Sequence, residues 1–246
     1  MQWEDEALLL AARRHGEGAL VLQVFTPYHG RHGGLVRGGA SKKNRPIFQP
    51  GNRLAVIWRA RLVEQLGSFT AELIDANAAL VLDQPARLKA MMSACALVEK
   101  ALPDRDPHPD LYNLLRQLID TLTTSGVWAQ DYVRFELALL SDLGFGLDLS
   151  ACPVTGSVSD LVYVSPRTGR AVSKEGAGAY ADRLLPLPTF LLGETETRLA
   201  DIRDGLKLAG YFLERHLFAA LDRPVPEARQ ALVDLVFRPD NELPDR

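Results

Sequence analysis

The amino-acid sequence predicts an α+β protein of more than one domain, in which a strand-rich N-terminal barrel is followed by helices. Three observations carry this. Short apolar runs alternate with Gly, Pro and Asn clusters over about the first 75 residues; from Pro85 the apolar period becomes helical; and the charge changes sign between the two parts. With 246 residues, 47% apolar and 24% charged, the composition is that of an ordinary globular chain and excludes disorder throughout. At roughly 100 to 200 residues per domain, the length admits one core or two.

Strands are expected at about 7–14, 19–25, 33–37, 54–62 and 68–74, separated by turn clusters at 15–18, 26–30 and 49–52 and by a loop over 38–46. Strands this closely spaced suggest a small antiparallel barrel. In 54–62 the period of two sets Ile57, Arg59 and Arg61 on one face against Val56, Trp58, Ala60 and Leu62 on the other, so one face is core and the other basic.

Two amphipathic helices follow, one carrying Leu88, Met91, Met92, Cys95, Val98 and Leu102, the other Leu111, Leu114, Leu115, Leu118 and Leu122, with a Pro-rich break between them. A third, about 129–143, is apolar nearly all round and reads as the centre of a second domain. Gly144-Phe145-Gly146 ends it, and 150–188 holds at best a short hairpin around 161–164. Helices are expected again over about 196–221 and 226–237, with a frayed tail after Pro239.

The net charge of -3 hides an asymmetry, with 10 basic and 7 acidic side chains in 1–80 against 18 and 24 in 81–246. Between Glu17 and Glu64 there is no carboxylate, while Arg31, Arg37, Lys42, Lys43, Arg45, Arg53, Arg59 and Arg61 all fall in that gap. Such a cluster repels itself and attracts polyanions such as nucleic-acid phosphates. The longest early apolar run, 7–12, is six residues and follows acidic residues, so neither a signal peptide nor a membrane span is expected and the location is read as cytoplasmic. Cys95 and Cys152 read as buried thiols.

Motifs for bond chemistry are incomplete. Gly34 and Gly39 have phosphate-loop spacing, but Ala40-Ser41 stands where Lys-Ser/Thr is needed, and no serine has the glycines of a nucleophile elbow. His29 and His32 form the one close histidine pair and lack the Cys or carboxylate company zinc requires, so they read as solvated or phosphate-facing, and a metal-dependent hydrolase ranks last. His108 and His216 read as packing residues. The pairs Asp104/Asp106 and Asp201/Asp204 read as solvated faces or helix-end charges. Cys152-Pro153-Val154-Thr155-Gly156 is half of a zinc knuckle with Thr155 where the second Cys belongs. No catalytic constellation is expected, and the protein is not read as an enzyme.

Three groups of residues carry a family resemblance: Arg134 to Leu140 leading into Leu143-Gly144-Phe145-Gly146-Leu147-Asp148-Leu149; His29-Gly30-Arg31 with Gly34-Leu35-Val36-Arg37-Gly38-Gly39; and Tyr163-Val164-Ser165-Pro166 with Gly169. In this order, over about 4–220, the chain resembles the bacterial RecO recombination mediators. The resemblance implies an OB-fold β-barrel over 1–80, a helical domain over 81–149, a small zinc-ribbon-like module over 150–188 and C-terminal helices over 189–246. It implies binding of single- and double-stranded DNA, strand annealing and, with RecR and sometimes RecF, help for RecA in displacing the single-strand binding protein SSB at the nucleoid. Many members hold zinc with four cysteines; only Cys152 remains of that set, so a metal-free ribbon with no cofactor is expected.

An OB barrel grips single strands with a positive groove and bases stacked on aromatics. The candidate DNA-binding residues are Arg31, His32, Arg37, Lys42, Lys43, Arg45, Arg53, Arg59 and Arg61, with Tyr28 and Phe48 for stacking, while Phe25, Trp58 and Phe69 are expected to pack the barrel. Eight phosphate contacts would set a single-strand salt slope of about -5 to -6 as an upper bound. Arg134 is the candidate dock for the acidic, Phe-ended tail of SSB, against an intramolecular pair with Asp131, with Arg203 and Lys207 as weaker candidates. The alternative function is a non-catalytic adaptor whose basic face docks an acidic protein.

Overall fold

The structure is a computed structural model that describes residues 1–62, 64–124, 126–194 and 197–238. The strands β1 (Gln2–His15), β2 (Ala19–Thr26), β3 (Gly30–Val36), β4 (Arg53–Arg59) and β5 (Ser68–Asp75) close into a barrel in the order β1-β2-β3-β5-β4. Every neighbouring pair is antiparallel except β3 and β5, which meet in parallel at Leu35 and Ser68. This five-stranded closed barrel is consistent with the expected OB-like domain.

Alternation explains the core: Leu54, Val56 and Trp58 of β4 point inward with Leu22 and Val24 of β2 and Phe69 of β5, all buried. β1 starts earlier than expected, because the acidic run 4–6 also alternates, with Glu4 and Glu6 outward and Trp3 and Asp5 turned toward the barrel. The long strand serves two neighbours. Residues 2–8 pair with β4, residues 8–15 with β2, and a bulge between Leu9 and Ala11 turns it from one to the other.

After a short α1 (Asn77–Leu80), α2 (Pro85–Ala101) and α3 (Pro109–Thr123) each begin with proline in the first turn, where its missing N–H is no loss. Buried Arg87 of α2 donates to the carbonyls of Thr121, Leu122, Thr124 and Gly126, satisfying the C-terminal end of α3. The chain divides into two compact units, 1–126 with 226–232 and 127–225 with 233–246. α2 and α3 pack with the barrel in the first of these units. Phe25 packs edge-on against Tyr112, Arg13 pairs with Glu99, and Arg31 pairs with Asp104 at 3.0 Å.

The second unit is built on α4 (Trp128–Asp142), whose Trp128, Tyr132, Val133, Phe135, Leu139 and Leu140 are buried. It contains β6 (Leu161–Val164), β7 (Ala171–Ser173), α5 (Lys174–Ala177) and β8 (Leu185–Pro186), followed by α6 (Leu199–Phe212). The strands form a three-stranded sheet in the order β7-β6-β8, more than the short hairpin expected. α6 is continued by a wider π turn, Leu213–Phe218, and α7 spans Glu227–Val236. The expected helix start at 196 and the tail after 239 lie outside the described residues. No helix among the described residues is long and apolar enough to cross a membrane.

Candidate nucleic-acid interface

The loop 37–52 is an ordered platform. Its turns close through backbone bonds from Ser41 to Gly38, from Asn44 and Arg45 to Ser41, and from Phe48 to Asn44. Asn52 donates to the Pro46 and Ile47 carbonyls, Ala40 N–H donates to Gly18, and Leu9 N–H donates to Asn52. Phe48 plugs the loop into the barrel core at 6% exposure. It is therefore a packing residue, and its expected stacking role is corrected: the same apolar side chain that suits a base is used to anchor the loop.

Arg37, Lys42, Lys43 and Arg45 stand exposed on this platform. Exposed Arg14, at the end of β1, lines a shallow cavity of about 280 Å³ with Arg45, Gln49 and Phe48. Among the described residues none of these five cations forms an ion pair, so their field faces solvent.

The remaining candidates divide. Arg53 is held by Asp75 at 2.7 Å and Glu6 at 3.2 Å, and Arg31, its side chain 14% exposed, is held by Asp104 and the Leu102 carbonyl. Arg59 donates to Gln2 at 2.8 Å, and Arg61 is exposed in the loop after β4. The outward face of β4 is consequently not basic, contrary to the expectation from its own residues. Ladder pairing sets Glu4 beside Ile57, and Glu6 and Glu72 beside Ala55, so acids from neighbouring strands give this face its sign. His32 points inward with the even residues of β3 and is buried, which corrects its phosphate-facing role. Burial holds its pKa below the ordinary value, against the pull of the Gly33 carbonyl, and the nearby Arg105 and His29 lower it further.

An aromatic cavity opens at the other end of β1. Trp3, Tyr28, His29, His32, Trp58 and Arg105 line about 410 Å³, with Met1 and Gln2 at its edge. Trp3 and His29 stack at 4.0 Å and 8° between planes, and Trp3 lies 5.8 Å from Trp58 at 18°. His29 also meets Asp5 at 3.0 Å. Tyr28 is 75% exposed at the rim. Arg105 sits over Trp58 at 5.9 Å, donating its side chain to the Gln65 carbonyl and its backbone N–H to the Arg31 carbonyl. Its φ of 63° is left-handed, a conformation that non-glycine residues rarely adopt. Gly30, φ 63°, makes the crossing possible, because a Cβ there would lie 2.1 Å from the Asp106 carbonyl oxygen. Sequence reading missed Arg14, Trp3 and Arg105; the signal it held was the glycine-centred tip His29-Gly30-Arg31.

In the second unit Arg134 pairs with Asp131 at 3.0 Å, donates to the Phe190 carbonyl at 3.0 Å and lies 5.5 Å over the Phe190 ring. Arg203 donates to the carbonyls of Val236 and Arg238, Lys207 pairs with Asp204 at 3.2 Å, and both lie over Phe237. The three expected tail-docking cations thus serve two aromatic rings.

The side chains of the segment 150–188 do not supply a zinc donor set. Cys152-x-x-Thr155 converges on Ser173-x-x-Gly176, as two knuckles would. Thr155 and Ser173 hydroxyls lie 3.1 Å apart, Gly176 N–H donates to Ser173 Oγ, and a Cβ on Gly176 would lie 2.7 Å from the Cys152 sulfur. One thiol, two hydroxyls and a glycine make no tetrahedral donor set. Among the described residues no group of three or more His, Cys, Asp or Glu could hold a metal. Burial pushes the Cys152 thiol up, but hydrogen bonds with Ser173 and Thr155 outweigh this and bring it down to about 6.

The chain matches family models described as Recombination protein O N terminal, over residues 1–77, and Recombination protein O C terminal, over residues 82–223. A DNA repair protein RecO from Rhodospirillum centenum is 52% identical over 236 residues, covering 95% of this chain and 94% of the relative. The DNA repair protein RecO of Cereibacter sphaeroides is 48% identical, covering 97% and 99%, and that of Phenylobacterium zucineum is 48% identical, covering 95% and 97%. Matched at both ends and at this identity over nearly its full length, the chain belongs to the RecO family of DNA repair proteins.

Proposed function

We propose that the protein is a non-catalytic recombination mediator that grips single- and double-stranded DNA through the platform 37–52. In this reading it anneals complementary strands and, with RecR, helps RecA load onto DNA coated by SSB. The observation that carries it is the set of five cations, Arg14, Arg37, Lys42, Lys43 and Arg45, without ion pairs among the described residues, on and beside a rigid loop plugged by a core phenylalanine. Cations without local acids release counterions from phosphates and leave base edges unread, so binding is salt-sensitive and indifferent to sequence. That lets one surface screen the repulsion between two strands. The acidic tail of SSB would exchange with Asp131 at Arg134, beside the Phe190 ring.

The test is pairing of complementary strands coated with SSB, together with polarisation titrations of a labelled oligonucleotide at two salt concentrations. Wild-type protein is expected to speed pairing and to bind at micromolar or tighter Kd. Lys42/Lys43/Arg45→Ala is expected to weaken both. Equal binding to an acidic peptide and to DNA would favour the adaptor instead.

A further inference from the structure

We propose that the cavity between Trp3, Tyr28, His29 and Arg105 is a nucleobase subsite, which takes one unstacked base from a single strand whose phosphates lie along cationic surface. The inference deepens the DNA-binding reading and rests on it. Four features point to a base. The volume of about 410 Å³ lies within the usual range of small-ligand pockets, roughly 300 to 1,000 Å³. The wall is a set of near-parallel rings, Trp58, Trp3 and His29, with exposed Tyr28 at the rim, and a flat heterocycle continues such a stack without needing sequence-specific contacts. Asp5, the carboxylate that meets this stack at His29, has a side chain only 7% exposed, so its oxygens are turned away from an approaching phosphate.

The fourth feature is Arg105. It is carried over Trp58 in a left-handed conformation, fixed by the 104–106 crossing of Gly30 and by bonds to Arg31 and Gln65. Non-glycine residues in that region cost free energy, and surrounding structure holds them where a ligand is clamped. A guanidinium at the mouth of an aromatic cavity suits a base on one side and its phosphate on the other.

The experiment uses the full chain and two labelled probes of equal length and phosphate number, an oligothymidylate and a version whose central nucleotides are abasic. Wild-type protein is expected to bind the thymidylate about tenfold tighter, and its tryptophan fluorescence to be quenched by that probe alone. In Tyr28→Ala and in Arg105→Gln the ratio falls to about one; Tyr28 is exposed enough that its loss does not threaten folding. Lys42/Lys43/Arg45→Ala weakens both probes and keeps the ratio, which separates the subsite from the platform. Equal affinity for the two probes, or a ratio that survives both substitutions, overturns the subsite while the platform reading stands. Failure to bind either probe overturns both. Quenching by an acidic, Phe-ended peptide and not by thymidylate would assign the cavity to a protein tail and also overturn it.

Discussion

The platform 37–52 and the outward face of β1, β4 and β5 both carry arginines from the carboxylate-free stretch 18–63, yet they end with opposite electrostatic character. On the platform, Arg37, Lys42, Lys43 and Arg45 meet no acid among the described residues, because turns close the loop on itself and Phe48 ties it to the core. On the sheet face, Arg53 is enclosed by Glu6 and Asp75, and Ile57 and Ala55 are flanked by Glu4, Glu6 and Glu72. A charge run in sequence becomes a charged surface only where the fold keeps it to itself. In a strand, register decides the neighbours, and neighbours come from anywhere in the chain.

The platform differs from the sheet face only as long as Phe48 holds it in place, so the largest effect is expected there. Phe48→Ala should cost about 3–5 kcal/mol of stability, as large-to-small changes in a packed core do. Tyr28→Ala, on the exposed rim, should stay within about 0.5 kcal/mol. Denaturant melts of the two variants check this, and similar midpoints would show that the loop is not plugged.

Next in size is binding. Replacing Arg37, Lys42, Lys43 and Arg45 by Ala should weaken single-strand binding at least tenfold and lower the magnitude of the salt slope by about 3, at roughly 0.7 for each phosphate no longer neutralised. Arg53→Gln removes the same charge from an ion-paired position and should leave the slope nearly unchanged. Titrations at four or more salt concentrations measure both slopes. A slope that falls as much for Arg53→Gln as for one platform cation would mean that the sheet face also carries phosphate.

What was legible in the sequence follows the same division. Helices α2, α3 and α4 and strands β2 to β5 could be located because periodicity is a local property. The start of β1 could not, since Glu4-Asp5-Glu6 looks like a polar lead-in until β4 is laid beside it. The partners of Arg53 lie 47 and 22 residues away, so its ion pairs were invisible. Phe48 sits in a polar loop and gave no hint of pointing inward. Arg105 reaches the cavity from the linker between α2 and α3, which no pattern ties to Trp58. Within 150–188, Cys152-x-x-Thr155 could be recognised by its cysteine, whereas Ser173-x-x-Gly176 carries none to mark it.

The smallest effect is expected from Glu4/Glu6/Glu72→Gln, and it bears most directly on where the two surfaces part. Glu4 lies ten residues from Arg14 along β1, about 30 Å at the rise of a strand. Arg14 in turn shares its cavity with Arg45 of the platform. Exposed charges separated by several Debye lengths, about 8 Å each at 0.15 M, are screened from one another. Removing three acids should therefore change affinity for the abasic probe, which is held by the platform and not by the aromatic cavity beside Glu4, less than about twofold at that ionic strength, although the net charge rises by three. At 0.01 M, where the Debye length is about 30 Å, the same variant should bind measurably tighter than wild type. A large gain already at 0.15 M would mean that the strand passes over the acidic face, and that β1, β4 and β5 belong to the DNA path instead of flanking it.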